Sequence, residues 1–193
     1  MKNLKIIRIL FIVIGIGSAT ASFAQRRHDD SQGLTTPVRL GSVIVNGGIG
    51  AGDTYEGDYY NSPFGVKAAI EWGLWQAGPG VITLGVEIGG TFSNNGYPDY
   101  TNYSSRTIIV AARAAWHYGW LVRGLDTYGG VSAGPGFHHY EYDNPAFYSY
   151  NSVIAVPGVF VGASYFVTPA FGFNAEAGHD ITNIQVGVVL KIK

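Results

Sequence analysis

Gly80-Val-Ile-Thr-Leu-Gly-Val-Glu-Ile-Gly-Gly-Thr-Phe92 is the stretch that decides the fold. Ile82, Leu84, Val86, Ile88 and Phe92 fall on one parity, and Thr83, Gly85, Glu87, Gly89 and Thr91 on the other. A period of two belongs to an extended strand, whose side chains point alternately to opposite faces, and not to a helix. The segment therefore predicts a strand with one apolar face and one face of small or polar groups that includes a carboxylate.

The same alternation continues on both sides. Phe64, Val66, Ala68, Ile70, Trp72 and Leu74 separate from Gly65, Lys67, Ala69, Glu71 and Gly73, and near the end Ile184, Val186, Val188, Leu190 and Ile192 separate from Gln185, Gly187, Val189 and Lys191. Segments of this kind, divided by turn residues, are the mark of hairpins. Eight are expected, at 41–51, 63–75, 80–92, 105–118, 125–137, 153–167, 170–178 and 182–192. The connections alternate between short ones (76–79, 119–124, 168–169) and longer polar ones rich in Tyr, Asn and Asp (52–62, 93–104, 138–152). The short connection 179–181 alone breaks this trend. Short turns on one side and long loops on the other are the asymmetry of an up-and-down barrel in an outer membrane, where an even strand count puts both termini on the periplasmic side.

Composition agrees with a surface that largely avoids water. Only 13% of residues are charged, against about 25% in an ordinary soluble domain, while the chain holds 28 Gly, 13 Tyr, 10 Phe and 4 Trp. With no cysteine, it has neither a disulfide nor a lipid-bearing thiol. A formal charge of −1 and the lack of any block of like charge give no electrostatic basis for binding nucleic acid.

Residues 1–24 read as a secretory signal: Lys2 and Lys5 precede an apolar stretch from Ile6 to Ile16 and a small-residue exit at Ser22-Phe23-Ala24. Residues 25–39 form a polar lead, and 40–193 the barrel. After the signal no apolar run reaches the roughly 18 residues of a membrane helix, so any membrane crossing falls to strands.

The polar face decides what lies inside. Across the strands it carries Lys67, Glu71, Glu87, Arg113, Glu176 and Lys191, three basic and three acidic residues. A basic group at mid-bilayer on the lipid side costs about 2–4 kcal/mol, so this face is expected to point inward. Its Gly and Ala suit the narrow lumen of an eight-stranded barrel, which side chains fill. Six charges of balanced sign in that space are expected to form an ion-pair network and not a translocation path. A soluble ligand-carrying barrel is the inverse arrangement, but so weakly charged a face makes a poor water-facing surface.

Trp72, Trp75, Trp116 and Trp120 lie at or just past the ends of the second and fourth strands, on the side of the short turns. They are expected to form a periplasmic aromatic belt at headgroup level. Pro135 and Pro157 cannot donate to a ladder, and irregular pairing or a bulge is expected near them.

Val161-Gly-Ala-Ser-Tyr-Phe-Val-Thr-Pro-Ala-Phe-Gly-Phe-Asn-Ala-Glu-Ala-Gly178, followed by Asn183-Ile-Gln-Val-Gly-Val-Val-Leu-Lys-Ile192, resembles the last hairpin and closing strand of small OmpA/OmpX-like outer-membrane β-barrels of the Bacteroidetes type. The resemblance extends more loosely over nearly all of the chain after residue 24. It implies an eight-stranded antiparallel transmembrane barrel inserted by the outer-membrane assembly machinery, with Leu190 and Ile192 at the apolar insertion signal. The group often ends in an aromatic, whereas this chain ends Ile192-Lys193. It has no shared catalytic residues to carry over.

Other chemistries have weaker support. His138, His139, Glu141 and Asp143 hold metal-ligand atoms, but adjacent histidines on an extended chain point apart and the spacing fits no defined site. His117 and Ser132 lie on neighbouring strands without an evident acid to complete a nucleophilic site. Gly47-Gly-Ile-Gly-Ala-Gly52 lacks the helix and Lys of a phosphate loop. The expectation is thus a non-enzymatic protein without metal or cofactor. Tyr59, Tyr60, Tyr97, Tyr100, Tyr140, Tyr142 and Tyr148 are candidates for external contacts with a surface ligand, because Tyr joins contact area to a polar tip; the commoner meaning of such residues is an outer aromatic girdle at the headgroup boundary. The expected role is a monomeric structural or surface-interaction protein in contact with outer-membrane lipids, and the alternative is a narrow channel for small solutes or ions.

Overall fold

A computed structural model describes residues 37–52, 64–95, 103–142 and 149–193. The expected signal segment, most of the polar lead, and Tyr59, Tyr60, Tyr97, Tyr100, Asp143 and Tyr148 lie outside the described residues. Eight strands follow in order: β1 Val43–Ala51, β2 Phe64–Ala77, β3 Gly80–Asn95, β4 Tyr103–Gly119, β5 Leu125–Tyr142, β6 Tyr150–Phe166, β7 Phe171–His179 and β8 Ile184–Lys191. Each pairs antiparallel with its sequence neighbours, and β1 pairs with β8 from Ile44↔Lys191 to Ala51↔Ile184, so the sheet closes without an edge. Closure satisfies the backbone of every strand by a neighbour, which a structure in hydrocarbon requires.

Strands β3 to β6 outlast the other four, and each continues past the loop-side end that alternation suggested, β5 the furthest. The β6 ladder with β7 begins only at Val159, whereas its ladder with β5 reaches Tyr150. The two prolines sit at this uneven rim. Pro157 pairs with Ala133 and Pro135 with Ala155 in unbroken register, so no bulge forms between β5 and β6. On the other side of β5 the ladder with β4 is interrupted at Gly134 and Pro135, between Ile109↔Gly136 and Ala112↔Ala133 and without a change of register, so irregular pairing does occur beside Pro135. The one register shift between β2 and β3 falls between Gly73 and Trp75, and it turns Trp72, Leu74 and Trp75 all outward.

The faces divide as the alternation demands. Ile49, Val66, Val86, Ile108, Val131, Val161, Phe173 and Val186, one from each strand, are exposed outward. Lys67, Glu71, Thr83, Glu87, Arg113, His117 and Glu176 are buried inward. Apolar clusters close the lumen at two levels. At the turn end Val38, from the last residues of the lead, packs with Ile44, Phe166 and Val189. Towards the loop end Ile181 packs with Ile109, Ala111 and Val156. Ile181 belongs to the short β7–β8 connection, which folds into the barrel and buries Asp180, Ile181 and Thr182. That is why this loop-end connection is short: it serves as a stopper for the lumen.

Candidate functional site

Between the two apolar layers lies an ionic cluster centred on Arg113. The register puts Gly85 of β3 opposite both Glu71 of β2 and Arg113 of β4. A Cβ on Gly85 would lie 2.0 Å from the Ile70 carbonyl oxygen and 2.9 Å from Glu71 Cγ, so glycine at this position lets the two charged side chains meet across β3. Arg113 Nε donates to Glu71 Oε1 at 2.9 Å, Nη1 to Glu87 Oε2 at 3.0 Å and Nη2 to Glu176 Oε2 at 2.6 Å. One guanidinium thus ties β2, β3 and β7 to β4. Its planar fork of donors suits this role as a point-charge ammonium would not. The guanidinium also lies over the Phe160 ring, 3.6 Å from its centroid.

Lys67 forms the second centre. Its ammonium donates to Glu176 and, at 2.6 Å, to Asp180 Oδ2, with Glu87 at 3.9 Å. Ser132 Oγ donates to the other Asp180 oxygen at 3.0 Å, fixing the inward connection to β5. Towards the turn end, His117 Nδ1 lies 2.8 Å from Asp126 Oδ2 and Nε2 lies 3.5 Å from Glu71 Oε2, while Thr83 Oγ1 donates to Glu71 at 2.6 Å. Chains of this kind are strongest where water is excluded and every member has a partner.

Five of the six charges expected inside therefore meet. Lys191 does not join them: its Nζ donates to the Pro37 carbonyl oxygen at 3.1 Å, at the turn end. It has the inward parity but lies past Val189 of the turn-end apolar layer, since parity decides the face and not the height. The three-to-three balance also fails. With Lys191 absent and Asp126 and Asp180 present, Lys67, Arg113 and His117 face five carboxylates. Asp126, at the first inward position of β5, has a parity signal that could have found it; Asp180, in a turn, has none. His117 and Ser132 turn to different carboxylates, Asp126 and Asp180 respectively.

Tyr128 stacks on His117 with ring centroids 4.9 Å apart and sits over Gly162, where a Cβ would come within 2.4 Å of the ring. Gly162→Val is expected to push Tyr128 off this seat and destabilise the barrel by about 1–3 kcal/mol, as overpacking does. Urea titration of the refolded protein in vesicles would check it; an unchanged midpoint would refute the packing role.

On the outer wall Trp72, Trp75, Trp116 and Trp120 gather at the turn end, all partly exposed. Trp116 Nε1 donates to the Ala77 carbonyl oxygen at 3.0 Å, and Trp120 Nε1 to Thr127 Oγ1 at 2.9 Å. Tyr118 lies between their rings, stacked on Trp116 and edge-on to Trp120. At the loop end, the backbones of Tyr140 and Tyr142 lie in the last turns of the β5 ladder. His138 turns inward, its Nδ1 2.6 Å from Thr107 Oγ1, while His139 Nδ1 lies 2.7 Å from Asn151 Oδ1. Among the described residues no three side chains form a metal-binding group.

An apolar exterior around a solid, ionic interior defines a small eight-stranded antiparallel β-barrel. No family model matches the chain, and no curated protein does. Among solved structures it is similar to Ail, the attachment invasion locus protein of Yersinia pestis, in a crystal structure with the heparin analogue sucrose octasulfate (13% identity, TM-score 0.44, covering 78% of this chain and 93% of that one). It is also similar to Neisserial surface protein A (15% identity, TM-score 0.42, covering 78% of this chain and 96% of that one).

Proposed function

We propose that this protein is an integral, non-enzymatic outer-membrane barrel with a structural or surface-interaction role, acting through its loop end and not by conduction. The observation that carries this reading is the outer wall. On all eight strands it is apolar, far beyond the few hundred Å² of contiguous apolar surface that a water-soluble monomer exposes. Outward-facing charges among the described strand residues are found only near the long-loop end, as at Arg106 and Glu141. The tryptophans at the opposite end then sit at the headgroup level of the periplasmic leaflet, both termini are periplasmic, and residues 1–24 serve export. The Tyr-rich loop segments of the sequence supply the contact surface for a surface ligand in this reading.

Membrane fractionation with a heat-dependent gel-mobility shift tests the reading. The expected result is recovery with outer membranes and a band that moves only after boiling. Recovery in the soluble periplasmic fraction without that shift would overturn it. Planar-bilayer recordings separate the structural role from a narrow channel, and reproducible open levels would favour the channel.

A further inference from the structure

The loop end of the barrel is uneven, and its lowest part lies over β7 and β8. The β6 ladder with β7 stops at Val159↔His179, although β6 itself runs on beside β5 to Tyr150. β8 begins at Ile184, and between the two strands residues 180–182 turn into the lumen instead of continuing the wall. All of β6, β7 and β8, with the connections between them, lies within the described residues. The low rim is polar, with His179 and Asn183 both exposed on it.

The outward side chains give the height of each wall. On β4, across the barrel from β8, they are apolar or aromatic from Ile108 to Trp116, with Tyr118 and Trp120 continuing the run. On β8 the run is Ile184 to Ile192, and on β7 it is Phe171 to Ala177. At about 3.3 Å per residue and a tilt of about 40°, the three runs stand about 30, 20 and 15 Å tall. The apolar band of an outer-membrane barrel is about 25 Å tall. The β4 wall meets that height, whereas β7 and β8 fall short of it by about 5–10 Å.

A membrane protein meets such a shortfall by moving itself or by moving the lipid. This rim is held down. Asp180 is bound by Lys67 at 2.6 Å and by Ser132 at 3.0 Å, and Ile181 is fully buried in the cluster with Ile109, Ala111 and Val156. The Asn183 N–H donates to the Ala51 carbonyl at 3.1 Å, and the Gly178 N–H to the Asn183 carbonyl at 2.9 Å. Tilting the barrel shifts both walls and leaves the difference in their heights unchanged. The lipid has to adjust.

We propose that the β7–β8 wall thins the bilayer beside it, drawing the headgroups of the loop-side leaflet down to His179 and Asn183. The inference rests on the membrane reading above. It gives the barrel one face that compresses the leaflet, separate from any contact made by the loops.

The chain has no cysteine, so single cysteines at outward positions of β4 and β8 can each carry a nitroxide label. Electron paramagnetic resonance of the full chain, refolded in palmitoyl-oleoyl phosphatidylcholine vesicles, reads how far oxygen and a water-soluble nickel chelate reach each label. The stretch closed to nickel is expected to span about 20 Å along β8 and about 30 Å along β4, with a label on His179→Cys open to nickel. Equal stretches on the two walls, or a closed label at position 179, would overturn the proposal. His179→Leu/Asn183→Leu raises the apolar limit of the short wall and is expected to lengthen the β8 stretch by about 5 Å without changing β4. A β8 stretch that stays the same, in a double variant that keeps the heat-dependent mobility shift, would also overturn it. If the double variant does not fold, the label scan of the otherwise unaltered chain still decides. Labels open to nickel along both walls defeat the membrane reading, whereas closed stretches of equal length defeat the thinning alone.

Discussion

Arg113→Met is expected to destabilise the folded barrel by about 3–5 kcal/mol, the cost of removing one partner from a buried ionic cluster. The methionine approximates the volume of the arginine stem, so little of the loss comes from a void. It comes from Glu71, Glu87 and Glu176, which lose donors at 2.9, 3.0 and 2.6 Å and remain in a lumen closed by apolar layers. Lys67 offers no remedy, because its ammonium is already engaged by Glu176 and Asp180. The measurement is urea unfolding in phospholipid vesicles, followed by tryptophan fluorescence. Adding Glu71→Gln to Arg113→Met is expected to recover part of the loss, and the coupling between the two changes isolates the pair. A single-variant loss below about 1 kcal/mol, the range of an exposed pair, would mean that water reaches the lumen freely and that the closed interior is wrong.

The second large effect concerns the opposite face. Val86 sits at the middle of β3, pairs with Ile70 and Ala112, and points outward. Val86→Arg is expected to cost about 2–4 kcal/mol in a bilayer, where mid-depth basic residues are most unfavourable. The same substitution at Phe92, close to the loop-end rim of β3, is expected to cost about 0–1 kcal/mol, the value near an interface. The depth dependence is the informative result, because loss of local packing would not follow the distance from the midplane. Equal costs at the two positions would refute the membrane placement of this wall, even if both variants were destabilised.

Both predictions rest on features of different legibility. The direction in which Val86 and Arg113 point was readable from parity alone, because successive strand residues face opposite sides and a closed barrel has only an inside and an outside. The eight strands were readable for the same reason, with turn residues marking most of their ends. The length of β5 and β6 was not, since their continuations through His138, His139 and Tyr150 are polar on both faces and carry no alternation. The extra residue at Leu74 was equally hidden: a bulge is a local departure in pairing, and two consecutive outward apolar residues, Leu74 and Trp75, look like noise in a two-residue pattern.

The cluster itself was half legible. Lys67, Glu71, Glu87, Arg113 and Glu176 have the inward parity and are brought together. Lys191 has it too and is not, while Asp180 lies in a turn, where parity has no meaning, and still becomes a partner of Lys67 and Ser132. Strand tilt and register determine which inward residues share a layer, and those are properties of the closed sheet, not of any one segment.

By itself, the sequence determined that the chain forms an eight-stranded sheet with one apolar and one charged face, because alternation and turn chemistry are local and act over a few residues. Only the tertiary structure decided that the sheet closes on a five-carboxylate lumen, stopped by Ile181 from a folded-in connection and by Val38 from the lead. These residues are far apart along the chain, and their separation in space becomes definite only when β8 pairs with β1 and sets the height of every side chain around the barrel.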